Sequence, residues 1–300
     1  PYASVSALLE HYYAEKNTLT RIRQKSADLR RIVQTALERN VKKYDLQLQQ
    51  IKDTEKRDKY RVYGELINTY GYNVPEGSKS MEALNYYTNE MITIPLDPDQ
   101  TPAENAKRYF DKYGKLKRTF EALSTLTKEV KAEIEHLESI STALDIALLE
   151  EDLVQIREEL AASGYIHKRG GKKEKVTSKP FHYMSSDGFH MYVGKNNYQN
   201  DELTFKFASG GDWWFHAKGM PGSHVIVKCE GADTLPDRTF EEAAKLAAYY
   251  SKGRGQEKVE IDYIQKKHVK KPNGAKPGFV VYYTNYSMMI DDDISGLKQV

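Results

Sequence analysis

Asn196, Asn197, Gln199, Asn200 and Asp201 crowd together between two stretches that alternate like strands. An amide both donates and accepts hydrogen bonds, which an ionised carboxylate cannot do. On an exposed loop such a cluster reads base edges or phosphate and ribose oxygens, with Lys195 and Lys206 supplying positive charge. The structural alternative is a turn in which Asn and Asp bond their own backbone. In the next segment, DWWFHAKGMPGSHVIVK, strand alternation puts Trp213, Phe215 and Ala217 on one face and Asp212, Trp214 and His216 on the other. Trp213 is the better core candidate. Trp214, beside His216 and close to a PGSH turn, reads as a stacking platform for a base or as the wall of a small pocket.

Asp212, His216 and His224 would suit a metal if the hairpin through Gly219 to Ser223 joined the histidines, but neither HxH nor HExxH spacing occurs. As acid and base they would still need a nucleophile. Ser223 lacks the GxSxG elbow, and Cys229 lies in an apolar strand pattern where packing is the simpler role. The expectation is a binding protein, not an enzyme, with no metal or other cofactor. YIQKKHVKKPNGAKPG adds Lys266, Lys267, Lys270, Lys271 and Lys276; with Lys172, Lys173 and Lys175 of an upstream linker these would grip a phosphate backbone without sequence preference.

Long helices must position this region. Leu19, Ile22, Ser26, Leu29, Val33, Ala36 and Asn40 repeat with 3,4 spacing, a seam weakened by Ser26 and Asn40. A stronger seam runs from Tyr109 and Tyr113 through Leu116, Phe120, Leu123, Thr127, Val130, Ile134, Leu137 and Ser141 to Leu144. Between them TYGYNVPEG breaks the period, MEALNYY and MITI form a hairpin around Thr88 and Asn89, and Thr101, Pro102 and Glu104 start the return helix with a capping box. The fold class expected is α+β. Residues 1–163 form a long antiparallel coiled-coil hairpin with a small α+β tip at about 64–100 and a short helix at 148–163. Residues 164–179 are a basic linker, and 180–300 a mostly β domain with one or two helices. Helices of about 60 residues would reach about 90 Å, the length of a lever or ruler. The strands expected include TFKFA and GFVVYY.

The net charge of +2 hides an uneven distribution: residues 1–63 hold 14 Lys/Arg against 8 Asp/Glu, and 164–179 hold 6 against 1, so a polyanion would favour those parts. One cysteine and no apolar run of membrane-spanning length point to a cytoplasmic protein. Pro1 stands without an initiator Met and a helical pattern starts at once, which marks the chain as a piece of a longer protein.

DGFHMYVGKNNYQNDELT, DWWFHAKGMPGSHVIVK and KKHVKKPNGAKPGFVVYY follow one another here and resemble the NFACT-R domain of the NFACT proteins, a family whose bacterial members have long been labelled fibronectin-binding protein A-like. Upstream, IPLDPDQTPAENAKRYFDKYGKLKR resembles the return arm of that family's coiled-coil middle region. The resemblance covers essentially the whole chain. It implies binding to a large ribosomal subunit that carries an obstructed nascent chain-tRNA, contact with tRNA and rRNA, and recruitment of alanyl-tRNA for a C-terminal alanine tail. It implies no bond-making step in this chain, because peptide transfer belongs to the ribosome. A ribosomal stalk-base protein is the partner expected at the coiled-coil tip. On this reading Asn196, Asn200, Asp201, Trp214, His216 and His224 make a polar recognition site, and Lys195, Lys206, Lys266, Lys267, Lys270 and Lys271 contact phosphates. The rival expectation is a surface-displayed module that binds fibronectin.

Overall fold

The computed structural model describes residues 4–167, 178–232 and 234–300; the linker lysines Lys172, Lys173 and Lys175 lie outside them. The chain divides into two compact units, one of residues 39–133 and one of residues 1–38 with 134–300. Long helices are followed by a sheet-rich part with a few helices, the α+β class expected.

Helices α1 (Val5–Lys25), α2 (Ala27–Asp53), α3 (Arg57–Tyr70), α4 (Pro102–Ile146) and α5 (Glu150–Ala162) carry the first part of the chain. In the unit of residues 39–133, Leu66 and Ile67 of α3 pack with Tyr109 of α4 and with Met81, Ala83 and Ile94. These last three belong to an antiparallel hairpin of β1 (Ser80–Asn85) and β2 (Glu90–Pro95), and Asn89 takes the positive φ of 57° that its turn requires. The capping box forms as expected. Glu104 accepts from the Thr101 N–H at 2.8 Å and its own N–H donates to Thr101 Oγ1 at 3.3 Å. Arg57 covers the ring of Phe120, on the predicted seam, at 4.1 Å.

In the other unit, Ile22, Leu29 and Val33 pack with Ile140, Ala143 and Leu144 of α4 and with Leu153, Ile156 and Leu160 of α5. Ser26 is fully buried between α1 and α2 and accepts a hydrogen bond from Arg30 Nε at 3.1 Å. Arg30 then donates to the Leu144 carbonyl at 2.6 Å and pairs with Asp145. The polar seam residue therefore orients an arginine onto the C-terminal end of α4, where free carbonyls favour a cation.

The sheet has seven strands: β3 (Phe181–Met184), β4 (His190–Val193), β5 (Trp213–Ala217), β6 (Val225–Val227), β7 (Val259–Gln265), β8 (Tyr286–Ile290) and β9 (Lys298–Gln299). Their order is β8-β7-β5-β6-β4-β3-β9 and every pairing is antiparallel. Between β4 and β5 run the short helix α6 (Asn197–Glu202) and a π-helical turn at Leu203–Phe207. Helix α7 (Asp237–Tyr249) covers one face, setting Ala243, Ala244, Leu246 and Ala247 against Met191, Val193, Phe215, Val225 and Ile261. On the opposite face Leu203, Ala208 and Val269 cover Trp214, Ile226 and Ile264.

Two expected strands are absent. TFKFA is mostly the π-helical turn, because α6 continues into it and carries Leu203 and Phe205 onto Trp214; its aromatic and β-branched composition mimics a strand. GFVVYY makes only an isolated bridge between Val281 and Lys270, with Val280 and Tyr282 packed on the same cluster.

Candidate nucleic-acid interface

The amide cluster is an ordered helix start, not an open loop. Asn196 has extended backbone and its side chain accepts from the Gln199 N–H at 3.0 Å, an N-cap for α6. Gly194 permits this approach, since a Cβ there would lie 2.2 Å from Asn200 Oδ1. Several of the remaining polar atoms point at α4 and α5. Asn196 and Gln199 both donate to Gln155 Oε1, at 2.6 and 2.8 Å, and Asn197 donates to Ser139 Oγ at 2.8 Å and to Glu159 Oε1 at 2.7 Å.

Lys195 is buried, its ammonium 3.1 Å from Asp152 Oδ1 and 4.5 Å from the centre of the Phe181 ring. Asp152 also accepts from the Leu148 and Leu149 N–H groups at 3.0 and 2.9 Å and from Ser178 Oγ at 2.6 Å. With its lone pairs used this way, the desolvated carboxylate is compensated, which a buried ion pair requires. Lys195, Asn196 and Asn197 therefore tie the sheet to α4 and α5. Asn200 is turned inward instead, where it accepts from the His224 N–H at 3.0 Å. The expected exposed reading loop is corrected, because the amides and the ammonium are buried against these partners. Asp201 accepts from the Gly278 N–H at 2.9 Å and pairs with Lys271, so this acid and this lysine fasten the lysine segment.

Sequence reasoning missed the partners. Asp152, Gln155 and Glu159 form a polar stripe along α5 beside its apolar face of Leu153, Ile156 and Leu160, and that spacing was the available signal. Glu159 is 1% exposed, and burial pushes its carboxyl up to about 7, partly opposed by the hydrogen bond from Asn197. Its Oε1 lies 3.7 Å from His136 Nδ1.

Trp214 has no exposed surface. Its ring stacks with His216 at 5.6 Å and meets His224 edge-on at 5.2 Å. A ring enclosed on both sides offers no face to a base, so the expected stacking platform is a core residue. Trp213 is the more exposed of the two, packed edge-on against Phe240 at 4.7 Å. His224 is 2% exposed, and its Nδ1 is 2.8 Å from Thr204 Oγ1. Desolvation holds His224 well below the usual imidazole range and pulls His216, which keeps some surface, down to about 4. Both are neutral at pH 7 and bring no cation to a phosphate. The Asp212 oxygens are occupied by Ser209 N–H at 2.7 Å, Cys229 N–H at 3.0 Å and Lys228 Nζ at 2.5 Å. Among the described residues no group of three His, Cys, Asp or Glu is placed to hold a metal ion.

Five of the lysines expected on phosphates keep surface, and one of them, Lys271, is paired with Asp201. Lys206, Lys267 and Lys270 are exposed and Lys266 partly so, and none makes an ion pair among the described residues. Their backbone is fixed: Lys266 and Lys267 N–H donate to the Asp212 and Gly210 carbonyls at 2.8 and 3.1 Å, and Lys270 exchanges 2.9 Å hydrogen bonds with Val281. No described helix is long and apolar enough to cross a membrane.

A family model for the NFACT N-terminal and middle domains matches residues 1–179, and one for the NFACT protein RNA binding domain matches residues 179–283. The chain is 43% identical over 303 residues to the Rqc2 homolog RqcH of Streptococcus suis (strain 05ZYH33), covering 99% of this chain and 54% of that protein. It is 37% identical over 298 residues to the Rqc2 homolog RqcH of Bacillus subtilis (strain 168), covering 97% and 52%. The chain thus spans about half the length of the curated relatives it matches. A solved structure of the C-terminal of the fibronectin/fibrinogen-binding protein from Streptococcus suis is similar with a TM-score of 0.72 at 37% identity, over 93% of this chain and 99% of that one.

Proposed function

The chain belongs to the NFACT family, and we propose that it is the RNA-binding and scaffolding portion of a ribosome-associated quality-control factor. In this reading the whole factor binds the large (50S) ribosomal subunit that carries an obstructed nascent chain-tRNA and supports recruitment of alanyl-tRNA for alanine tailing. The observation that carries it is the similarity at 37–43% identity, over nearly the whole chain, to proteins named as Rqc2 homologs. Exposed Lys206, Lys267 and Lys270 and the partly exposed Lys266 support it as phosphate-binding groups within the part that matches an RNA binding domain. For function we divide the chain at 1–163, 164–179 and 180–300; the change of family model at residue 179 favours this division. The tip around residues 64–100 is proposed to meet a protein partner such as the stalk base, since it holds 1 Lys/Arg against 6 Asp/Glu and is the part least suited to RNA. The adhesion reading is not favoured, because the curated relatives at 42–43% identity carry the name Rqc2 homolog RqcH.

Co-sedimentation with 50S subunits tests this proposal. Full-length protein should pellet with obstructed subunits in preference to vacant ones, and this chain should do so more weakly and with a steep salt dependence. Equal pelleting with vacant and obstructed subunits by the full-length protein would overturn it.

A further inference from the structure

The outer face of the sheet is unevenly covered. Over β5, β6 and β7 the segment following α6 buries Trp214, Ile226 and Ile264. Over β3 and β4 the side chains of His182, Met184, His190 and Tyr192 keep part of their surface. Strand alternation sets these four opposite Phe181, Tyr183, Met191 and Val193, which pack with α7.

These partly exposed rings form one connected row with Phe207. His182 and His190 are joined by an Nε2···Nδ1 hydrogen bond of 2.7 Å, in which one ring donates and the other accepts. His182 lies parallel to Tyr192, with centroids 4.4 Å apart and planes 2° apart. Tyr192 meets Phe207, the last residue of the π-helical turn, edge-on at 4.7 Å, and the Lys228 ammonium covers Phe207 at 5.0 Å while paired with Asp212. Phe207 is 42% exposed. Lysines flank the row at both ends. Lys206 precedes Phe207, and Lys298 of β9 is in register with Met184 and so shares its face; both are exposed and neither makes an ion pair among the described residues.

We propose that His182, His190, Tyr192 and Phe207 form a stacking platform for unpaired bases of a single-stranded RNA segment, with Lys206 and Lys298 on its phosphates. This rests on the RNA-binding reading above and names its mode. Ring faces suit any base, imidazole edges offer a donor and an acceptor, and the flanking lysines suit a polyanion, whereas an apolar protein partner would gain little from them. Single strands are required because a duplex keeps its bases stacked internally and shows a side chain only its grooves and backbone. A sheet face with a few such rings accommodates roughly two or three bases.

The test measures binding of the full chain to a fluorescent oligouridylate and to an RNA duplex of equal charge. His182→Ala and Phe207→Ala should each weaken oligouridylate binding by about fivefold or more, leave the salt slope and the duplex affinity unchanged, and leave the melting temperature within a few degrees. His182→Phe, which keeps a ring, should bind like the parent. Weakening on the single strand and the duplex alike overturns the platform, as does unchanged oligouridylate binding in both Ala variants. If those variants bind RNA normally but no longer pellet with obstructed subunits, the face meets a protein and the proposal fails while the ribosome reading stands. Absence of RNA binding by the parent chain would instead sink the RNA reading on which the platform rests.

Discussion

The two halves of the outer sheet face carry similar side chains and do different things. One half holds Trp214 and His224, enclosed beneath the π-helical turn and the segment around Val269, with His216 stacked on Trp214 and keeping some surface. The other holds His182, His190 and Tyr192, which remain accessible. Histidine next to an aromatic ring suggested recognition chemistry at the first and drew no attention at the second. The side chains do not differ; the cover does. An imidazole in the enclosed half is desolvated and held neutral, so its neighbours serve packing. The rings of the open half keep part of their surface.

The largest effect that would break this contrast is expected at Trp214. Trp214→Ala should destabilise the fold by about 3–5 kcal/mol because it empties a closed site, whereas His182→Ala should cost well under half as much; chemical denaturation of both settles it. Equal costs would mean that the two halves are not differently covered.

Next in size is the tie between Lys195 and Asp152. Lys195→Met should cost about 3 kcal/mol, since it leaves a carboxylate buried without its cation, although the backbone donors of Leu148 and Leu149 and the Ser178 hydroxyl hold part of that charge. RNA affinity should not follow, once measured at a temperature where the variant is folded. Selective loss of RNA binding would return Lys195 to the interface.

Glu159 and the buried histidines should oppose each other with pH. The Glu159 carboxyl rises from 4.5 to about 7 in the fold, so the native state holds a proton that the unfolded chain releases, and stability falls as pH rises through that window. His216 is lowered from 6.5 to about 4, so its contribution is present above 6.5 and is lost as pH falls toward 4. Glu159→Gln should therefore gain stability relative to the parent between pH 5 and pH 8, by about 1–3 kcal/mol at the upper end. Denaturation curves at several pH values would show it, and a difference independent of pH would refute the raised carboxyl.

The smallest effect on stability, and the sharpest on binding, belongs to the exposed lysines. Replacing Lys266, Lys267 and Lys270 together with Ala should leave melting unchanged. The same change should flatten the plot of log affinity against log salt by up to about 0.7 for each single-strand phosphate that these lysines neutralise in the parent. An unchanged slope removes that segment from the interface.

Much of the scaffold was legible. The seam of Ile22, Ser26, Leu29 and Val33 is buried as its spacing required, the capping box at Thr101 and Glu104 formed, and alternation assigned the faces around Trp213 and Trp214 correctly. The helix at 197–202 was not, because Asn and Asp signal caps and turns alike, and only the oxygen of Asn196 accepting from Gln199 makes it a cap. The candidate site was legible in residue type and misplaced in space. Lys195, Asn196 and Asn200 read as exposed because polar residues usually are. The α5 partners of Lys195 and Asn196 lie more than 40 residues away in the chain, and His224 lies 24 residues from Asn200.

Local spacing and composition were enough to determine the long helices, the cap at Thr101 and most strands, because periodicity and capping depend on residues close in sequence, while the family was legible only as the resemblance of whole motifs. Whether a given Asn, Lys, His or Trp meets solvent or another side chain was decided only by the tertiary structure. Burial depends on which segments cover a residue, and Asp152, Gln155 and the π-helical turn were brought over these positions by packing between segments distant in the chain.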